Sequence, residues 1–421
     1  MQTLVLYIQR KTPIFISLGV FFILSSAIYD LVFANIAYNI TGKTTSITTT
    51  YAIGYGAEIL VTVLGAGFID QFNKWRLFIV TQAVNIVVFS IAMIFLSGDN
   101  VSIYAVWFFA FWVDLIHHYA DLVVFSLMPF LFTREQIPAI NGSKAMFHGM
   151  AAVIGPTLGT MAIIYLGLST SLLVSVVFMI IALILTISLA VMVPLKNEKF
   201  NIANATKASF KDLVQKSILG ASKAAYKLVK DQHWRTFLLS YSSCVLVIGI
   251  LTLLWIPLIR GFHGFSLEMT GYLATIATIG GILGGFLLLR YGQGGGLVTI
   301  LRLAHVIMAI GICLALFVRG NLYSVAIGMF LFRLGGTLYF RTTESVLQTT
   351  IPKEVIGSWY GAIDFILRFV GLIGILLAGW AFDAIGAYAL YSILIVMLLV
   401  TMLAWRKNKV SIINKTNEIK V

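Results

Sequence analysis

Twelve apolar runs, each long enough to cross a bilayer as a helix, constrain this chain more than any other feature in it. They cover residues 13–38, 47–69, 76–97, 102–131, 144–166, 170–194, 236–259, 267–290, 297–318, 321–343, 355–380 and 386–405. A hydrocarbon core of about 30 Å takes ~20 helical residues to cross. In lipid every backbone polar group must be satisfied inside the protein, so only helices or closed barrels span it. The ten-residue alternating segments of a barrel are absent, which leaves helices. Composition agrees: 60% of the 421 residues are apolar and only 11% are charged, against about 25% charged in a soluble domain. The predicted fold is an all-α integral membrane protein with twelve transmembrane helices in two six-helix bundles, multi-pass in a cell membrane.

Orientation follows from where Lys and Arg fall. With the N-terminus inside, the outer loops hold only Lys43, Arg260 and Arg319, and Arg333 and Arg368 lie deep within spans; all other basic residues fall in inner segments or at the inner ends of spans. Both termini are therefore expected in the cytoplasm. The net charge of +13 is spread over short loops and two inner segments, and no nucleic-acid partner is expected. Residues 196–235 form the one long loop, with nine basic residues and the acids Glu198, Asp212 and Asp231. Helical periodicity in Phe210, Leu213, Val214, Ile218 and Leu219 reads as an amphipathic linker on an anionic inner leaflet. The expected domains are thus 1–195, a linker at 196–235, and 236–421 with a short basic tail. Cys244 and Cys313 sit in apolar runs and read as small buried hydrophobes, with no disulfide or metal site. No cleavable leader is expected, because Arg10-Lys11 leads into a run long enough to span.

A weak internal repeat supports duplication. Ile137-Pro138 with Gly142-Ser143 precedes span 5, and Ile351-Pro352 with Gly357-Ser358 precedes span 11. Both lie at the same inner-loop position of their halves, as parallel repeats require. In span 5, Gly155-Pro156-Thr157-Leu158-Gly159 has small residues that permit close helix approach and a proline that bends the span; Gly and Pro are also simply common in transmembrane helices. The stretch from Leu127 to Asn141, Tyr38 to Gly42, and Gly379 to Gly386 complete a set of landmarks in both halves. Through these the chain resembles the major facilitator superfamily, and within it the enterobactin-exporter-type and drug–proton antiporter members. The likeness covers nearly the whole chain.

The family's loop between spans 2 and 3 reads roughly G-x-x-x-D-R-x-G-R-R. Here Asp70, Lys74 and Arg76 match in kind, but the glycine four residues before Asp70 is missing, and Gln71 and Asn73 replace Arg and Gly. The resemblance implies that this loop latches the halves in one state through charge pairs, so a weakened or re-wired latch is expected. The second-half counterpart, Arg290 to Gly296, has no acid and reads as a flexible turn. Gly155, Pro156 and Gly159 belong with these conformational motifs.

Ionisable groups inside a membrane are costly unless paired or facing water, so each is a functional candidate. Span 4 carries Asp114, His117, His118 and Asp121, spaced i, i+3, i+4 and i+7 on one helix face. The resemblance implies that spans 1, 4, 7 and 10 line a central cavity, which places this face and Asp30 on the transport route. Three readings stand side by side: proton coupling, since a desolvated carboxylate and a histidine both exchange protons near neutral pH; transition-metal ligation; and a self-satisfied Asp–His network. Asp364 and Arg368, four residues apart, can neutralise each other. Arg333 has no local acid, and is either paired across the cavity or left for an anionic substrate. Tyr29 and Tyr119 could stack on a substrate, alongside Arg333, Arg368 and Asp364 as binding candidates.

Other classes of function find little footing. No His-Glu-x-x-His run, Gly-x-Ser-x-Gly elbow, Walker loop or Cys-x-x-Cys occurs, so neither an enzyme nor an ATP-driven pump is expected. Paired halves favour alternating access over a channel. A nontransporting sensor on the same fold is the remaining alternative, as is an importer of an anionic metabolite or metal chelate. The expectation is a monomeric secondary transporter of the bacterial inner membrane, without cofactor or bound metal. Its partners would be protons, lipid and a small organic solute, and the resemblance implies export of a siderophore-like or drug-like molecule.

Overall fold

The computed structural model describes residues 11–98, 101–195, 210–255, 257–292 and 296–407. Arg10, the first part of the linker (196–209), the core of the glycine-rich turn (293–295) and the basic tail (408–421) lie outside the described residues.

Among the described residues twelve helices are long and apolar enough to cross a membrane. Spans 1 to 6 are Lys11–Thr41, Thr45–Leu64, Lys74–Phe95, Ile103–Leu131, Ile137–Leu166 and Leu172–Met192. Spans 7 to 12 are Gln232–Leu251, Met269–Tyr291, Leu297–Phe317, Leu322–Thr350, Lys353–Ala378 and Ala384–Leu403. A linker helix, Phe210–Lys230, precedes span 7, and a short helix, Ala66–Gln71, follows span 2. Spans 5 and 10 overrun their apolar runs: span 5 starts at Ile137 and span 10 continues to Thr350. Hydropathy marks the part of a helix that suits lipid, whereas a helix continues wherever its polar turns find partners.

Local chemistry sets several span ends. Asn73 accepts from the Arg76 amide to open span 3, Asp231 accepts from the His233 and Trp234 amides to open span 7, and Asn321 accepts from the Ser324 amide to open span 10. Such N-caps satisfy donors that a first helical turn leaves free. Span 1 ends at Gly42, whose amide still donates back to the Tyr38 carbonyl at 2.7 Å while its φ of 65° turns the chain out of the helix. The chain kinks at Gly386 near the start of span 12, where a φ of 77° is one that no β-carbon would readily accept.

By contact the chain divides into two compact units. One holds the residues up to Phe132, Met150–Lys223 and Lys353–Ala362; the other holds Thr133–Gly149, Ala224–Pro352 and the residues from Ile363. Spans 5 and 11 therefore each change unit partway along.

In the first unit spans 1 and 6 are tied by reciprocal bonds, Ser25 Oγ to the Ser175 carbonyl at 3.1 Å and Ser175 Oγ to the Ser25 carbonyl at 3.2 Å. Span 5 presses on span 1 through its small residues: a β-carbon at Gly155 would lie 2.5 Å from the Ala27 side chain, and one at Gly159 would meet Leu31 at 3.0 Å. Between helices in lipid, packing of this kind supplies the attraction that water supplies elsewhere. In the second unit span 10 is gripped on two sides by backbone-to-backbone contacts. A β-carbon at Gly280 of span 8 would lie 2.2 Å from the Phe330 carbonyl, and one at Gly311 of span 9 would lie 2.6 Å from the Phe332 amide.

Candidate functional site

The ionisable side chains expected inside the membrane separate into distinct places. The first is a group of acids on spans 1, 2 and 4 of the first unit. Tyr29, one residue before Asp30, is buried and donates its hydroxyl to Asp114 Oδ1 at 2.7 Å. Asp114 in turn lies against Gly54 of span 2, so closely that a β-carbon there would overlap Oδ2. Asp30, Glu58 and Asp114 are within electrostatic reach of one another. The aromatic wall is built by span 1 and its neighbours: Tyr29 packs on Phe33 and on Phe89 of span 3, with ring centroids 5.8 and 5.2 Å apart.

His117 lies on the same side of span 4. Its ring stacks on Phe22 at 3.9 Å with the planes 19° apart, and Tyr29 meets it edge-on at 5.9 Å. Its Nδ1 is buried without a hydrogen-bond partner. His118 is buried on the next position, and Asp121 is exposed while remaining in electrostatic reach of His117. The structure thus brings together Tyr29, Asp30, Asp114 and His117, and adds Glu58, Phe22 and Gly54. It does not bring Asp121 to Tyr29, because two helical turns move it about 10 Å along the axis. Among the described residues no three His, Cys, Asp or Glu side chains converge as a metal ion would require.

Tyr119 belongs elsewhere. Its ring edge sits against Gly65 at the end of span 2, where a β-carbon would come within 3.0 Å, and it lies in electrostatic reach of Asp70. It therefore stands beside the loop that holds Asp70, away from the acids of spans 1, 2 and 4.

That loop forms a joint with the start of span 11, inside the first unit. Asp70 Oδ1 accepts from the Gly357 amide and Oδ2 from the Ser358 amide, each at 2.7 Å. A carboxylate on the first amides of a helix satisfies free donors and meets the positive end of the helix dipole. Burial pushes the Asp70 carboxyl above its ordinary range, and the bonds from Ser358 and Gly357 with the charge of Lys74 pull it back. Gly357 and Gly361 let span 11 come this near: β-carbons there would lie 2.7 Å from the Ala66 carbonyl and 2.1 Å from the Ala66 side chain. Lys74 is buried with its ammonium 4.7 Å from the centre of the Phe130 ring. Arg76 is exposed, and its backbone amide is held by the Asn73 cap. The partner of Asp70 in this turn is a helix terminus.

The second unit holds the remaining charges. Arg368 donates from Nε to Asp364 Oδ2 at 2.9 Å, a pair within one helix. Arg341 grips Glu344 with two bonds, at 2.8 and 3.0 Å. Arg333 is exposed on span 10 and has neither an ion-pair nor a hydrogen-bond partner among the described residues. Cys244 is buried, with Sγ 3.4 Å from His305 Nε2, and His305 Nδ1 meets the Leu301 carbonyl at 2.6 Å.

The family model described as Major Facilitator Superfamily matches residues 12–374. Among solved structures, a bacterial homologue of the iron transporter ferroportin in its outward-facing state superposes with a TM-score of 0.77 at 15% identity, covering 95% of this chain and 99% of that one. The human organic anion transporter MFSD10 gives 0.73 at 13% identity over 94% and 99% of the two chains. The transporter FucP in its outward conformation gives 0.68 at 15% identity over 95% and 99%. No curated protein sequence matches the chain. At these identities the likenesses establish the fold.

Proposed function

The chain belongs to the major facilitator superfamily and is a multi-pass membrane transporter rather than an enzyme, and we propose that it exports a small organic solute in exchange for protons. On this reading both termini face the cytoplasm of a bacterial inner membrane, and a single copy works by alternating access. The observation that carries the coupling is the Tyr29–Asp114 hydrogen bond set beside Asp30 and Glu58. Carboxylates this close inside a span bundle repel one another, and a proton taken up by the group relieves that repulsion. Tyr29 holds Asp114 in place, so gain or loss of the proton is transmitted to span 1 through one bond. His117, with an unused nitrogen one turn further on, is the next stop for the proton, with His118 and Asp121 beyond it.

The same motifs that resemble enterobactin exporters and drug–proton antiporters support a siderophore-like or drug-like substrate. Arg333, unpaired among the described residues, supports a negative group on that substrate, because a guanidinium binds carboxylate in a fork. Asp364 and Arg368, joined to each other, contribute as a neutral pair.

Proteoliposomes with an imposed pH gradient test the proposal, using a panel that includes a cationic dye, a carboxylate-bearing metabolite and a siderophore. Asp30→Asn, Asp114→Asn and Asp121→Asn are examined singly, and at least one, with Asp114 first, is expected to abolish gradient-driven flux of the transported compound. Full coupling in all three variants removes the carboxylates from the mechanism. Absence of saturable flux across the whole panel favours a sensor.

A further inference from the structure

Among its described side chains the linker helix Phe210–Lys230 presents three faces, one of them covered. Ser217, Ala224 and Leu228 are buried, at offsets of seven and four that mark one stripe of a helix. A second stripe faces outward with large apolar groups: Ile218, Leu219, Tyr226 and Val229 are 38, 47, 65 and 56% exposed. A third stripe, Lys223, Lys227 and Lys230, is exposed and basic, and Lys230 Nζ lies 5.5 Å from the centre of the Tyr226 ring. A helix surrounded by water does not spread four large apolar side chains beside a row of lysines at no cost. The boundary between lipid tails and anionic headgroups accommodates both stripes.

Both ends of this helix adjoin spans. Ser217 Oγ donates to the Leu64 carbonyl at 2.8 Å and accepts from the Gly67 amide at 3.1 Å, so that turn is fastened to the end of span 2. Lys230 is followed at once by the Asp231 cap that opens span 7. The helix is thus fastened beside one span and runs about 20 Å to the residue that opens another, as a segment at a bilayer boundary would be. The fastening also reaches the Asp70 joint. Gly67 lies three residues before Asp70, and a β-carbon at Gly220 would meet the side chain of Ser358, whose amide Asp70 accepts, at 3.1 Å.

We propose that this helix seats on an anionic lipid leaflet, with Ile218, Leu219, Tyr226 and Val229 in the headgroup boundary and Lys223, Lys227 and Lys230 on lipid phosphates. Through Ser217 and Gly220 that seating steadies the Asp70 joint. The membrane's own charge is then a regulator of the transporter, independent of which solute is carried or whether protons drive it.

The test uses the full chain, one copy per lipid nanodisc, carrying Tyr226→Trp. Emission in excess of the wild-type protein is followed as lipids with brominated acyl chains are introduced. Brominated phosphatidylglycerol is expected to quench more than brominated phosphatidylcholine at equal mole fraction. Lys223→Gln, Lys227→Gln and Lys230→Gln together are expected to abolish that preference and to leave equal quenching by both lipids. Hydrogen exchange at the Gly357 and Ser358 amides is expected to speed up in discs without phosphatidylglycerol. No quenching by either lipid overturns the proposal, as does equal quenching of the unmodified lysine row. Shielding of the introduced indole only when two copies share a disc gives the face to a second copy and overturns it as well. Exchange that ignores lipid charge overturns the link to the joint.

Discussion

The two joints built around the sequence repeat make an instructive pair. At Gly357, span 11 lands on the short helix after span 2, and at Gly142, span 5 lands on the end of span 8. Each glycine occupies the same place in its half, and each removes a side chain so that two backbones can meet. The chemistry then diverges. The first joint is acidic, with Asp70 holding two helix-start amides. The second is neutral: Asn141 Nδ2 donates to Ser345 Oγ at 2.9 Å and to Gln348 Oε1 at 2.8 Å, while Gly142 and Gly285 press backbone on backbone. The two joints share a steric plan and differ in the polar lock, which leaves one joint responsive to charge and the other dependent on fit.

The largest effect expected from that contrast is steric. A β-carbon at Gly142 would lie 2.3 Å from the Leu289 amide nitrogen, where no flexible side chain can yield. At Gly357 the contacts are longer, 2.7 Å to the Ala66 carbonyl and to Asp70 Oδ1 and 2.8 Å to the Ile69 β-carbon, and of these the Asp70 side chain can swing. Gly142→Ala should lower stability by roughly 3 kcal/mol and Gly357→Ala by less, in the range of about 1–3 kcal/mol for overpacking. Thermal unfolding of both variants in detergent checks this; a reversed order breaks the claim that the neutral joint depends more on fit.

Polar truncation should rank the joints the other way. Asp70→Ala leaves two helix-start amides without their acceptor, and bonds to a charged group contribute roughly 1.5–3 kcal/mol each. Asn141→Ala removes neutral bonds of about 1 kcal/mol apiece. The same unfolding assay reads both, and equal losses would erase the distinction between a charged and a neutral lock.

The smallest effect is in the pH profile. Burial raises the Asp70 carboxyl above its ordinary value, so the folded state holds this proton more tightly than the unfolded chain. Its contribution is complete below the ordinary aspartate value of about 3.9 and declines as pH rises through the elevated one. Asp70→Asn should flatten that portion of the stability profile, and Asn141→Asp should not restore it. A wild-type profile with the opposite slope there would mean that the two amides outweigh burial.

Much of this was readable before any coordinates. The twelve apolar runs became twelve spans, because apolar length is a direct response to the bilayer. The Ile-Pro and Gly-Ser repeat marked the two joints, since a backbone approach demands glycine wherever it recurs. Asp70 stood out by its motif, although its partner did not: a helix terminus offers amides, and amides carry no sequence signature. Within the acidic group, Asp114 and His117 were expected from helical spacing, and Asp30 from the cavity lining that the resemblance implies. Glu58, Phe22 and Gly54 were not, because each joins the group from another helix through tertiary packing. Tyr119 and Asp121 share a span with Asp114 on paper, but height along a long helix decides which neighbours they meet.

Gly54 carries a further consequence, one of inheritance. The Asp114 carboxylate occupies the space that any side chain at position 54 would need. A lineage that acquires even alanine at 54 must shorten or re-aim the acid at 114, and one that loses the acid frees 54 to vary. The two positions, sixty residues apart in the chain, are therefore bound to change as a pair.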